Sequence, residues 1–171
     1  MGRGEPSSGS GSDALAAAYD RWGTRIYRYL VTMTGSRDVA EDVLQEVFCR
    51  LAARGAFFEV RDAGAYLFRV ARNEALRWIA RHPRPEVSSD DAPEPAAPAA
   101  DNSRAGLRDA VTGALRKLPP DQAETVYLKV FENMTFEEIG RFSGCSANTA
   151  ASRWRYACEK LHRLLEEWTH D

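Results

Sequence analysis

The sequence is poor in cysteine, with three in 171 residues: Cys49, Cys145 and Cys158. An odd count, wide spacing and the lack of a CxxC pair exclude a disulfide framework and a structural zinc site; small buried hydrophobes are the expectation. Histidine is equally scarce, and His82, His162 and His170 stand apart. There is no Ser/His/Asp arrangement with supporting spacing, no Gly-rich phosphate loop and no metal-ligand cluster. Neither enzymatic activity nor a cofactor is therefore expected. No apolar run approaches the roughly 20 residues that cross a bilayer, which argues against membrane insertion. The opening stretch MGRGEPSSGSGSD lacks the apolar segment of a secretory signal. It reads as a flexible tail over residues 1–12, with the cytoplasm as the expected compartment. Period-two alternation is missing throughout, and with it any expected strand.

A dominant charge is lacking as well: 23 Lys and Arg face 25 Asp and Glu, a formal net charge of −2. Autonomous nucleic-acid binders usually carry a basic excess. The balance hides a pattern, however. Between Val60 and Arg84 six arginines (61, 69, 72, 77, 81, 84) face two acids, Asp62 and Glu74. Between Arg141 and Arg163 five cations (141, 153, 155, 160, 163) face Glu159 alone. Two basic segments inside a neutral chain suggest surfaces aimed at a polyanion.

The stretch HPRPEVSSDDAPEPAAPAADNS holds five prolines and five acids and has almost nothing to bury. Proline fixes φ and removes a donor, so residues 83–104 read as a flexible linker. It separates two blocks, 13–82 and 105–168, each large enough for a small helical core. The expected fold is all-α: a three-helix N-terminal domain and a four-helix C-terminal domain joined by this Pro/Ala-rich linker.

In the first block, Leu15, Tyr19, Trp22, Ile26 and Tyr29/Leu30 recur at helical spacing, predicting a helix over about 13–33. Gly35 breaks it, and Ser36 can cap the next. A second helix over 37–54 has an apolar stripe at Ala40, Val43, Leu44, Val47, Phe48 and Leu51, and an opposite face of Glu41, Asp42, Gln45 and Glu46. That acidic face would repel phosphate, so it reads either as a solvated face or as a docking surface for a basic or polar partner helix. A third helix over 63–81 buries Leu67, Val70, Ala71, Ala75, Trp78 and Ile79 and carries Arg69, Arg72, Asn73, Arg77 and Arg81 outside. Cations beside aromatic rings suit single-stranded nucleic acid, where phosphates and exposed bases are both within reach.

In the second block a helix over about 104–117 ends at LPPD, and Pro120 suits the opening turn of the next. Thr135-Phe136-Glu137-Glu138 is a capping box, so a short helix begins at Phe136 and breaks at Ser143-Gly144. Ser146 caps a last helix that runs to about Trp168. A short helix, a glycine turn and a longer helix form the helix-turn-helix pattern, whose second helix enters the major groove. Ile139, Phe142, Cys145, Thr149/Ala150, Trp154, Ala157 and Leu161 form the expected seam. Ala147, Asn148, Ala151, Ser152, Arg155, Tyr156 and Glu159 face outward. Arg155 can reach guanine or phosphate, Asn148 and Ser152 can reach bases or backbone, and Arg141, Arg153, Lys160 and Arg163 suit phosphates.

SRDVAEDVLQEVFCRL followed by AYLFRVARNEALRWIARH resembles the second conserved region of bacterial extracytoplasmic-function (ECF) sigma factors. LRKLPPDQAETVYLKVFENMTFEEIGRFSGCSANTAASRWRYACEKLHRLL resembles their fourth region. The resemblance implies a factor that binds core RNA polymerase and directs promoter-specific initiation. It implies docking of Asp42, Gln45 and Glu46 on the polymerase β′ clamp, with the β flap as a further polymerase partner. It implies −10 contacts by Arg69, Arg72, Asn73 and Arg77, with Asn73 at the base-reading pocket. It implies −35 contacts by Ser146, Asn148, Thr149, Ser152, Arg153, Arg155, Tyr156 and Lys160, with Ser152 and Arg155 facing bases. Promoter DNA and an anti-sigma protein are the further partners it implies. Ala151 departs from the family, which often has a basic residue there, and so removes one phosphate contact. Cys145 replaces a common aliphatic residue. The competing reading is a free-standing helix-turn-helix regulator that binds an operator without polymerase; it leaves the acidic helix unassigned.

Overall fold

A computed structural model describes the backbone of residues 8–54, 62–82 and 104–169. Its elements are α1 (Ser8–Thr34), α2 (Arg37–Arg54), α3 (Ala63–Arg81), α4 (Arg104–Arg116), α5 (Pro120–Val130), α6 (Phe136–Ser143) and α7 (Ala147–Thr169). Among the described residues every regular element is a helix, and none is long and apolar enough to cross a membrane. The chain divides into two compact units. The first holds α1 to Val31, α2, and α3 to Ala80; the second holds α4–α7. The expected linker lies almost wholly outside the described residues, as do Phe57 and Phe58.

In the first unit the stripe of α2 becomes core throughout, and those of α1 and α3 do so in part: Leu15, Trp22, Val70, Trp78 and Ile79 are half-buried. Ala40, Val43, Leu44, Val47, Phe48 and Leu51 of α2 are all buried, as are Ile26, Tyr29 and Leu30 of α1 and Leu67, Ala71 and Ala75 of α3. Phe68 is buried too, although it lies off the expected stripe; its ring meets Tyr29 edge-on at 5.7 Å. Tyr19, one of the apolar positions whose spacing predicts α1, is 52% exposed. Its ring stands edge-on to Phe48 at 5.0 Å and lines a groove of about 690 Å³ between α1 and α2. Tyr19 thus stands on the groove wall and not inside the core.

The boundaries follow local chemistry. Gly35 takes φ 70°, a left-handed turn that ends α1 at little steric cost. Ser36 then caps α2, accepting from Val39 N–H at 3.4 Å. Asp62 caps α3, accepting from Ala65 N–H at 3.0 Å. α1 starts at Ser8, five residues ahead of the expected start at Asp13; no proline interrupts the backbone over that stretch. In the second unit α4, α5 and α6 each pack on α7. The apolar centre is Leu118, Ala123, Val126 and Ala157, with Leu115, Trp154 and Leu161 packed against it.

Candidate nucleic-acid and polymerase interfaces

The turn between α6 and α7 is built from strict local requirements. Thr135 Oγ1 accepts from Glu138 N–H at 3.2 Å while Glu138 Oε2 accepts from Thr135 N–H at 2.8 Å. These hydrogen bonds from Thr135, backbone first and side chain second, hold the Glu138 carboxyl below its ordinary range. Gly144 caps α6 at φ 73°, where a side chain would be strained. Cys145 N–H donates back to the Gly140 carbonyl at 2.9 Å. A Cβ on Gly140 would lie 2.7 Å from the Cys145 carbonyl oxygen, so only glycine admits so tight a turn. Ser146 Oγ then accepts from Thr149 N–H at 3.0 Å and starts α7.

α7 presents Asn148, Ser152, Arg155 and Glu159 along one row, opposite buried Ala150 and Ala157. Asn148, Arg155 and Glu159 are exposed and Ser152 is half-buried. Tyr156 is 52% exposed beside this row, and the Arg155 guanidinium lies 5.2 Å from its ring centre. Ser146 and Thr149 are exposed, with hydroxyls 2.8 Å apart. Lys160 is half-buried. Arg153 points elsewhere: its Nε donates to Asp121 Oδ2 at 2.9 Å and its Nη1 lies 3.6 Å from Cys145 Sγ. Its charge is therefore already partnered, and it ties α7 to the start of α5. A second tie that sequence reasoning missed joins buried Glu124 to Ser143, whose hydroxyl donates at 2.8 Å. Neither pairing has a local signal, because the partners lie 32 and 19 residues apart.

In the first unit α2 exposes Glu41, Asp42, Gln45 and Glu46 together. Glu41 and Gln45 also line the groove beside Tyr19 and Leu44, so an acidic edge borders an apolar trough. On α3, Arg69, Asn73 and Arg77 follow one another at four-residue spacing and are exposed, while Arg72 is half-buried. Arg77 Nη1 donates to Glu74 Oε1 at 2.6 Å, and Arg50 Nη1 donates to the same oxygen at 2.6 Å. Arg50 Nε also meets Glu46 Oε1 at 2.5 Å. The hydrogen bond to Glu46, then the Glu74 charge, push the Arg50 guanidinium further toward its protonated form.

A short helix, a glycine turn and an exposed polar row on the following helix define a helix-turn-helix DNA-binding protein, here carrying a second helical unit with an acidic face. Family models place it further: Sigma-70 region 2 matches residues 18–84, and Sigma-70 region 4 matches residues 108–161. RNA polymerase sigma factor CarQ of Myxococcus xanthus is 35% identical over 159 residues, which cover 91% of each chain. ECF RNA polymerase sigma factor BldN of Streptomyces coelicolor is 31% identical over 91% of this chain and 62% of its own length. ECF RNA polymerase sigma factor SigM of Bacillus subtilis is 26% identical over 90% of this chain and 96% of its own. In fold, the chain is similar to sigma factor RpoE of Bartonella quintana, solved with the anti-sigma factor NepR. The TM-score is 0.63 at 23% identity, over 91% of this chain and 96% of that one. The chain belongs to the sigma-70 family, among its ECF members. It is a sigma factor that works with core RNA polymerase in promoter-specific initiation, and the operator-binding alternative is not favoured.

Proposed function

We propose that the two units divide promoter recognition between them, with the exposed row of α7 reading the −35 element. The observation that carries this is the α7 row of Asn148, Ser152 and Arg155, set on a turn that only Gly140 and Gly144 permit. Small residues at Ala147 and Ala151 let the helix approach the groove floor. Arg155 is the base-reading side chain, since a guanidinium can pair bidentately with guanine. Asn148, Ser152 and Tyr156 contact bases or the adjoining backbone; Ser146, Thr149 and Lys160 sit where phosphates pass. Arg153 serves the −35 surface indirectly, because Asp121 already holds it.

In the first unit Asp42, Gln45 and Glu46 dock on the β′ clamp. Charge complementarity and the adjoining apolar groove both favour a basic, partly apolar partner helix. Arg69, Arg72 and Arg77 track the phosphates of the opened −10 strand, and Asn73 reads a base from it. The second unit meets the β flap. The chain acts in the cytoplasm as a specificity subunit without catalysis of its own, and a separate anti-sigma protein restrains it.

Run-off transcription over fragmented genomic DNA, with core polymerase and with or without the chain, tests this reading. New start sites that require the chain are expected, and they define both elements. A chain that starts no transcription but shifts a DNA fragment alone would return the operator-binding regulator.

A further inference from the structure

Four side chains of alternating sign run from the acidic face of α2 to the basic face of α3: Glu46, Arg50, Glu74 and Arg77. The two central members, Arg50 and Glu74, belong to neither the proposed docking set nor the proposed −10 set. Glu74 is the constrained member, with a side chain only 11% exposed, against 45% for Arg50, 52% for Glu46 and 57% for Arg77. A single oxygen, Glu74 Oε1, receives both Arg50 and Arg77 at 2.6 Å. Arg50 is likewise divided, giving Nε to Glu46 and Nη1 to Glu74. Each end of the line is thus partly neutralised by its inner neighbour: Glu46 by Arg50, Arg77 by Glu74.

We infer that Arg50 and Glu74 are positioning residues that couple occupancy of the α2 docking face to availability of Arg77 for the −10 strand. The inference rests on the docking and −10 assignments above. A cation brought to Glu46 by the polymerase competes with Arg50. Arg50 then gives both its nitrogens to Glu74, which fills the shared oxygen and releases Arg77 toward phosphate. In the opposite direction, a phosphate that draws Arg77 away leaves Glu74 to Arg50 and frees Glu46 for the polymerase. Linkage requires the two effects to be equal. Because three of the four groups are about half exposed, each contact is weak, and the coupling is a modest factor.

The test uses the full chain, core polymerase and a non-template-strand oligonucleotide spanning the −10 element of a promoter mapped by run-off. The dissociation constant for polymerase is measured with and without saturating oligonucleotide, and the ratio is the coupling factor. Arg50→Lys keeps the charge but not the two-nitrogen reach. Glu74→Gln keeps the shape but loses the charge. Each is expected to lower the factor roughly two- to fivefold, with helical content and melting temperature unchanged. Glu46→Ala and Arg77→Ala report on the underlying reading, weakening polymerase and oligonucleotide binding respectively. If those two behave as expected while either Arg50→Lys or Glu74→Gln leaves the factor unchanged, the relay is overturned and the docking reading stands. If oligonucleotide leaves the polymerase affinity of the unaltered chain unchanged, the relay is overturned as well. If Glu46→Ala and Arg77→Ala change nothing, the residue assignments fail and the relay falls with them. If no start site appears in run-off, the promoter reading itself fails.

Discussion

Arg155 and Arg153 are two residues apart on α7, yet the structure gives them different work. Arg155 projects from the exposed row beside Tyr156, whereas Arg153 turns back to Asp121. Replacing Arg155 with alanine is expected to cost about 1–3 kcal/mol at promoters with the preferred −35 base pair. The loss is expected to shrink at promoters with that pair changed, measured by competitive transcription on paired templates. An equal loss on all templates would make Arg155 a phosphate contact. Glycines give a second contrast. Gly140→Ala forces a Cβ to within 2.7 Å of a backbone carbonyl and is expected to destabilise by roughly 1–3 kcal/mol in urea unfolding. Gly113→Ala, inside α4 with nothing within 4 Å of the new Cβ, is expected to stabilise by about 0.5–1 kcal/mol.

Element boundaries in the second unit are set by local hydrogen bonds and one left-handed turn. Past the end of α5 at Val130 the chain turns at Asn133, which enters the left-handed region at φ 53°, a conformation asparagine tolerates better than most residues. That turn lets Met134 N–H reach the Leu128 carbonyl at 3.1 Å and delivers Thr135 to its capping position. Lys129 ties the same turn, donating to the Met134 carbonyl at 3.1 Å with its ammonium 5.0 Å from the Phe136 ring centre. Thr135→Ala removes the cap of α6 and is expected to cost about 1 kcal/mol. The capping box also has a pH signature. The folded state holds the Glu138 carboxyl below its ordinary value of 4.5, so its contribution is present above that value. It is lost as pH falls from there through the lowered folded value. Urea midpoints measured down through this acid range should therefore fall less steeply in Glu138→Gln than in the unaltered chain.

At the scale of the whole molecule, a net charge of −2 suits a subunit that does not hold DNA by itself. On the proposed function, polymerase would supply the general attraction to phosphate, since counterion release rewards any duplex equally. The chain alone is expected to bind promoter fragments weakly and with little preference, and the holoenzyme to bind them tightly, in filter binding at fixed salt. Asp42→Ala with Glu46→Ala is expected to weaken core binding by about tenfold, as loss of complementary charge at a docking face does, while leaving the helical signal unchanged. Both residues are exposed and lie off the buried stripe of α2. Unchanged core affinity would remove the docking assignment.

Most of the fold was legible in the residues because helices are local objects. The stripe of α2, the caps at Ser36, Thr135 and Ser146, and the turn at Gly144 are all set within a few positions of chain. The helical period alone therefore predicted which face of α2 would meet solvent and much of that of α7, where Thr149 of the expected seam is exposed and Ala147, Ala151 and Ser152 are half-buried. Pairings across tens of residues carry no such period. The hold of Asp121 on Arg153, the Glu124–Ser143 contact and the shared oxygen of Glu74 exist only once helices pack. The same packing left Tyr19 on the rim of a groove and Val70, Trp78 and Ile79 only half-buried, since burial depends on the neighbouring helix as well as on the phase of a residue's own. Sequence determined where the helices turn their apolar sides and, the early start of α1 at Ser8 apart, where they begin and end. Tertiary structure decided which cations remain open to a ligand, because a charge is free or partnered according to what lies within about 4 Å of it in space.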